Sequence, residues 1–227
     1  MPTQVLTSRE RDTLSAARRI VAGVTPNRGN NLRVLNRLMP FVGERILEVG
    51  AGVGTLTERL LDRELIVVSD KDPVCVEILR KRLRDHRHAR AQLLDLQKPK
   101  HGILNGFSFD TVVCSNGLEQ VREDQAALAY LFSLLDPGGR LVLAVPAFNH
   151  QRRYTKKTLL PKMRRAEFRV ESAFYVNMIG MAGSRLLDKY LAPWTDRLER
   201  VIPPPCGMFL IAVGRKPRYN LNLKRRA

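Results

Sequence analysis

Residues 46–60, ILEVGAGVGTLTERL, place an acid, Glu48, two positions ahead of three alternating glycines, Gly50, Gly52 and Gly54. Glycines at this density let a backbone approach a ligand closely and adopt left-handed conformations. A phosphate-cradling loop needs a Lys followed by Ser or Thr after its last glycine, and none follows here. A dinucleotide fingerprint needs G-x-G-x-x-G. The sixth position is Thr55 counted from Gly50 and Thr57 counted from Gly52. Either puts a β-branched side chain where helix and strand must pack closely. Glu48 would repel a pyrophosphate, and it suits a ligand that carries a cationic amino group.

The remaining chemistry-bearing residues are sparse. Cys75, Cys114 and Cys206 are far apart and odd in number, and no CxxC or Cys/His cluster occurs. The histidines, His86, His88, His101 and His150, include no HExxH. Neither a disulfide framework nor a metal site is indicated.

The elements that must position the loop alternate along the chain. RILEV is a short apolar run, followed by the glycine turn and a helical pattern, GTLTERLLD. LIVVSD is β-branched and ends in Asp70; PVCVEILRKRLRDH opens with Pro73, a favourable first helical residue. ARAQLLD and FDTVVCSN predict a third and a fourth strand. DQAALAYLFSLLDPGG predicts a helix closed by proline and glycines. RLVLAVP predicts strand five. TLLPKMRRAEF predicts a helix with Pro161 in its first turn, and FRVESAFYV and GMFLIAVGRKP predict the last two strands with a helical segment between them. Such alternation implies a Rossmann-like α/β fold, a mostly parallel sheet with helices on both faces.

With these elements in place, LEVGAGVG resembles the first motif of the class I S-adenosylmethionine-dependent methyltransferases. Asp70 at the end of strand two stands where that family places an acid for the ribose. Asp95 in LLDL stands where it places one near the adenine. LLDPGGRLVLAVP is similar to the family's helix, PGG turn and strand five. The resemblance covers residues 32–215. It implies a seven-stranded sheet with strand seven antiparallel, and S-adenosylmethionine as cofactor. The cofactor would be held by Glu48, Gly50, Ala51, Gly52, Gly54, Asp70, Lys71, Asp95, Leu96 and Asn116.

NGLEQVREDQAAL resembles the N-x-L-E-H segment of small-molecule and lipid-type methyltransferases, and VPAFNHQRRYTKKTL resembles one bacterial group among them. Gln120 replaces the His of that segment, and only FNHQ separates VPA from RRYT, where relatives have a longer loop. Methyl transfer chiefly needs orientation of nucleophile, methyl and sulfur. A base is needed for a protonated acceptor, and Gln120 cannot be one. Glu119 is the candidate base or a structural carboxylate; Tyr154, with Tyr175 and Asn177, is a candidate for the acceptor side. RNA adenine methylation is the alternative reading. Its enzymes carry an Asn/Asp-Pro-Pro-Tyr-like segment after strand four, and SNGLEQV has Asn116 but neither proline nor aromatic. A third reading is a catalytically quiet cofactor-binding domain that acts through a partner.

Charge is uneven. The chain carries a formal +17. Residues 1–149 hold 21 basic and 17 acidic side chains, and residues 150–227 hold 18 and 5. Arg152, Arg153, Lys156, Lys157, Lys162, Arg164 and Arg165 cluster around the helix after strand five. They suit an anionic acceptor or an anionic membrane surface, with nucleic acid as second choice. The expected organisation is an N-terminal helical segment over 1–40, a methyltransferase domain over 41–215 with a helical insertion at 178–205, and a basic tail over 216–227. The polar N-terminus and the absence of long apolar runs predict a cytoplasmic protein.

Overall fold

The computed structural model describes residues 34–99, 102–115, 117–148, 153–176, 197–199, 201–202 and 204–218. Residues 34–38 are helical and lead through a 3-10 turn, Met39–Phe41, towards the first strand. In chain order follow β1 (Arg45–Val49), β2 (Leu65–Asp70), α1 (Pro73–Arg82), β3 (Ala89–Leu93), β4 (Phe109–Ser115) and α2 (Asp124–Leu134). Then come β5 (Leu135–Pro146), α3 (Lys156–Arg165), β6 (Arg169–Val176) and β7 (Phe209–Arg215). They build one sheet of order β3-β2-β1-β4-β5-β7-β6, in which β7 alone runs antiparallel to its neighbours.

Continuous apolar runs make the central strands because both faces of a parallel sheet are covered. Leu47, Val112, Leu141 and Leu143 pack on one face with Leu128 and Leu131 of α2 and Leu159 and Met163 of α3. Ile46, Ile66, Val68 and Val113 pack on the other with Leu79 of α1 and with Leu35 and Leu38. The strand period of two therefore puts Glu48 on the face of Ile46, the α1 side. The chain winds outward from β1 through β2 to β3, then returns to β4 on the other flank. That reversal opens a crevice at the carboxyl ends of β1 and β4, where open α/β sheets bind ligands.

Helix ends are fixed locally. The Asp72 side chain accepts the Val74 amide at 2.8 Å at the start of α1, with Pro73 as first helical residue. Thr155 and Thr158 form a reciprocal capping box at the start of α3.

Three local expectations differ from the structure. GTLTERLLD forms turns and one 3-10 segment, Thr57–Arg59, in place of a helix. Gly54 at φ 92° turns the chain away from helical geometry, and the Thr57 hydroxyl is drawn inward. The helix before DPGG stops at Leu134. Leu135 already pairs with Phe109, Gly138 takes φ 88°, and the register shifts between Phe109 and Thr111. Asp136 of that segment accepts from Arg45 and Ser108, which pulls it onto the sheet. Pro161 sits inside α3 and not in its first turn, because the capping box starts the helix at Lys156. The expected N-terminal segment falls within the described residues only at 34–38. Most of the 178–205 insertion, residues 149–152 of the short loop, and nearly all of the basic tail lie outside them.

Candidate active site

The glycine loop leaves β1 and is stitched to β2. The Gly50 and Ala51 amides both donate to the Ser69 carbonyl, at 2.9 and 3.0 Å. Gly50, Gly52 and Gly54 have φ of 76°, 58° and 92°. A Cβ at Gly52 would meet no atom within 4 Å, so its open side faces the cleft, whereas one at Gly54 would meet Leu79 Cδ2 at 3.0 Å. Gly52 is thus a place where a ligand can lie against backbone, and Gly54 is a packing glycine.

Asp70, at the end of β2, holds this loop. Its Oδ2 accepts the Gly52 amide at 2.8 Å and its Oδ1 accepts the Asp72 amide at 2.9 Å. Each oxygen keeps a second lone pair for a ligand hydroxyl. Beyond β3, Asp95 Oδ1 accepts the Gln97 amide at 2.9 Å, and the Leu94 amide donates to the Asp70 carbonyl at 3.0 Å, so the two acid-bearing turns are tied together.

Glu48 is buried on the α1 side of β1. Thr57 Oγ1 donates to its Oε2 at 2.6 Å. Desolvation raises its pKa to about 7; the Thr57 hydrogen bond acts the other way, and the charge of Asp70 adds to the rise.

These groups line a cleft of about 350 Å³. Of the residues expected to hold a cofactor, Glu48, Gly50, Ala51, Gly52, Asp70, Lys71, Asp95 and Leu96 line it; Gly54 does not, and Asn116 lies outside the described residues. Gln120 lines it, exposed, at the end of the 3-10 turn Leu118–Gln120. Glu119 is buried in that turn away from the lining. Its charge, after burial, helps push the Cys114 thiol up to about 12. Tyr154 is buried as well, with its hydroxyl on Asp124 Oδ2 at 2.9 Å and its amide on the Pro146 carbonyl at 2.8 Å. It anchors the start of α3 and is not part of the cleft wall. Tyr175 is likewise engaged with α3, its hydroxyl accepting the Lys156 amide at 3.2 Å, and Asn177 lies outside the described residues.

Sequence reasoning missed Val34, Leu35, Asp72, Val121 and Phe209 on the wall, and Thr57 behind it. Only Asp72 carried a local signal, an acid directly before a helix-starting proline. The others depend on elements distant in the chain.

The lining fits an adenosyl amino acid. There is open space at Gly52, a carboxylate at each of two neighbouring turns for hydroxyl and amino donors, and a buried carboxyl for an ammonium group. The Methyltransferase domain family matches residues 47–141. Those residues carry a methyltransferase domain, the seven-stranded sheet is the class I S-adenosylmethionine-dependent methyltransferase fold, and the cleft lining fits S-adenosylmethionine.

Among relatives, it is 36% identical over 108 residues to a demethylmenaquinone methyltransferase of Clavibacter sepedonicus, covering 46% of this chain and 42% of that one. It is 30% identical over 124 residues to a ubiquinone/menaquinone biosynthesis C-methyltransferase of Coxiella burnetii, covering 52% and 46%. The chain thus spans less than half the length of these relatives. The fold is shared with the N-methyltransferase NodS of Bradyrhizobium japonicum, solved with S-adenosyl-L-homocysteine, at a TM-score of 0.62 and 18% identity over 90% of this chain and 98% of that one. It is also shared with a methyltransferase of Haloferax volcanii solved with its Trm112 activator, at 0.66 and 17% over 92% and 98%.

Proposed function

We propose that the chain methylates a small apolar acceptor of the quinone-precursor kind, lipid-linked and presented beside anionic groups. The observation that carries this reading is the apolar part of the cleft lining. Val34, Leu35, Val121 and Phe209 make it apolar, and Gln120 adds an uncharged polar side chain. The names of the two relatives point the same way. Such a wall suits a ring better than a charged or heavily hydroxylated acceptor.

When bound, S-adenosylmethionine supplies a methyl group on positively charged sulfur, a leaving group that needs no acid. The chain's own work is orientation. Asp70 and Asp95 would hold the nucleoside end, the Gly52 backbone would let it approach, and Glu48 would take the amino end. The Gln120 amide offers a donor and an acceptor to the ring substituents, and it takes no proton. Val34, Leu35, Val121 and Phe209 would hold the acceptor against an apolar wall that excludes water.

The anionic preference rests on α3. Lys156 lies 5.2 Å from the Tyr175 ring centre and Lys162 pairs with Asp124 at 2.7 Å. Arg153, Lys157, Arg164 and Arg165 remain exposed around them, and Arg152 lies outside the described residues. A cationic side chain near an anionic membrane contributes about 1 kcal/mol. No helix among the described residues is long and apolar enough to cross a membrane.

The test is incubation with methyl-labelled cofactor and either a demethylated quinol in anionic vesicles or total RNA. Label in the organic phase is expected. Label in RNA overturns the reading in favour of a base methyltransferase. Intact cofactor binding with no label in either overturns it in favour of a quiet domain.

A further inference from the structure

Glu48 is a buried carboxyl with no ion-pair partner among the described residues. Only 3% of it is exposed. Among the described residues no Lys, Arg or His forms an ion pair with it. Its fixed partner is neutral, the Thr57 hydroxyl at 2.6 Å. The groups that share its cleft are Asp70 at the end of β2, Lys71 and Asp72 after it, Cys75 of α1 and Asp95 after β3, with Ser115 and Gly117 from the β4 side. Carboxylates outnumber cations in this set, and burial holds the Cys75 thiol neutral, up at about 11. A carboxylate here is costly until a positive charge arrives, and the neutral acid is favoured meanwhile.

We propose that Thr57 and Glu48 form a proton-exchanging clamp for the amino group of the cofactor. Thr57 is its positioning residue, and Glu48 releases one proton to solvent as the ammonium docks. The O–H bond of the carboxylic acid breaks, the proton goes to buffer, the oxygen keeps the electron pair, and nothing is oxidised or reduced. Thr57 hydrogen-bonds Oε2, which fixes the plane of the carboxyl and eases its ionisation. Ser69 Oγ, donating to the Glu48 carbonyl at 2.9 Å, holds the same residue from β2.

The sign follows from the free state. With a pKa near 7 before binding and a lower one beside an ammonium, Glu48 must lose its proton for the ligand to bind tightly. Affinity therefore rises with pH through neutrality and levels off above it. Between pH 8 and pH 6 the dissociation constant rises about tenfold.

The experiment is titration calorimetry of the full chain at pH 6, 7 and 8, each in two buffers of different ionisation enthalpy. S-adenosylhomocysteine and 5′-methylthioadenosine, which lacks the amino acid, are the probes. For S-adenosylhomocysteine about half a proton is released at pH 7 and close to one at pH 6, and for methylthioadenosine close to none. Glu48→Gln abolishes the release. Thr57→Val removes the bond that favours the ionised form. It moves the affinity-against-pH curve to higher pH and increases the release at pH 7, and Thr57→Ser restores both. Equal release with both probes, or release that persists in Glu48→Gln, overturns the proposal. So does a Thr57→Val curve that stays in place in a protein whose circular dichroism and melting temperature are unchanged. If Thr57→Val does not fold, the two probes on the wild type and Glu48→Gln still decide.

Discussion

The Asp70 carboxylate and the Gly52 amide are joined by a 2.8 Å hydrogen bond, so the acid expected to meet the ligand's ribose also fixes the loop on which the ligand lies. The expected binding group is thus also scaffold. Asp70→Ala is expected to weaken binding of S-adenosylhomocysteine at least tenfold, since hydrogen bonds to a charged group contribute about 1.5–3 kcal/mol each. It also frees the Gly52 and Asp72 amides, so stability should fall by roughly 2 kcal/mol. Calorimetry and urea unfolding measure the two effects, and a variant that loses affinity with no loss of stability contradicts the dual role.

The glycines separate by the same logic. At Gly52 an added methyl meets no protein atom. Gly52→Ala is expected to cost about 1 kcal/mol of stability, the strain of a left-handed φ, while cofactor affinity drops much further. At Gly54 the methyl meets Leu79 at 3.0 Å and φ is 92°. Gly54→Ala should therefore lower the melting temperature more than Gly52→Ala and affect affinity less. Thermal melts with and without ligand rank the two variants.

Tyr154, Asp124 and Lys162 tie α2 to α3 and to the chain just before it. The Asp124 side chain is nearly buried and Lys162 is about one-third exposed, so solvent screens part of the pair. Asp124→Ala is expected to destabilise by roughly 2 kcal/mol, below the usual cost of breaking a fully buried pair. Tyr154→Phe should cost about 1 kcal/mol. Neither should move cofactor affinity more than twofold, because neither lines the cleft. Denaturant melts and one binding isotherm per variant check this.

Gln120 is a polar side chain of the proposed acceptor wall. Gln120→His places an imidazole that can take a proton near neutral pH. Turnover on a protonated acceptor should rise, with a new dependence on pH between about 6 and 7, while cofactor affinity is unchanged. A labelled-methyl assay across pH reads both.

The sheet could be read from the sequence because each central strand is an apolar run ending in a turn, and Glu48, Asp70 and Asp95 announce themselves as acids at three such ends. Thr57 could not be read. Its neighbours spell a helix, and its inward turn depends on Glu48 being buried by elements elsewhere in the chain. Tyr154 differs from its expected place for the converse reason. Its position beside strand five suggested a ligand contact, yet Asp124, 30 residues earlier, claims its hydroxyl. Val34 and Phe209 gave no local sign because they reach the cleft only when β1 and β7 have taken their places.

Those two residues carry a mechanical meaning. Val34 comes from the segment before the first strand and Phe209 from the last strand, and both face the space a ligand fills. An occupied cleft is therefore a removable staple between the opening and the closing of the described chain, across 175 residues of sequence separation. Loosening either side of that staple, far from Glu48 or Asp70, should be felt as a faster off-rate.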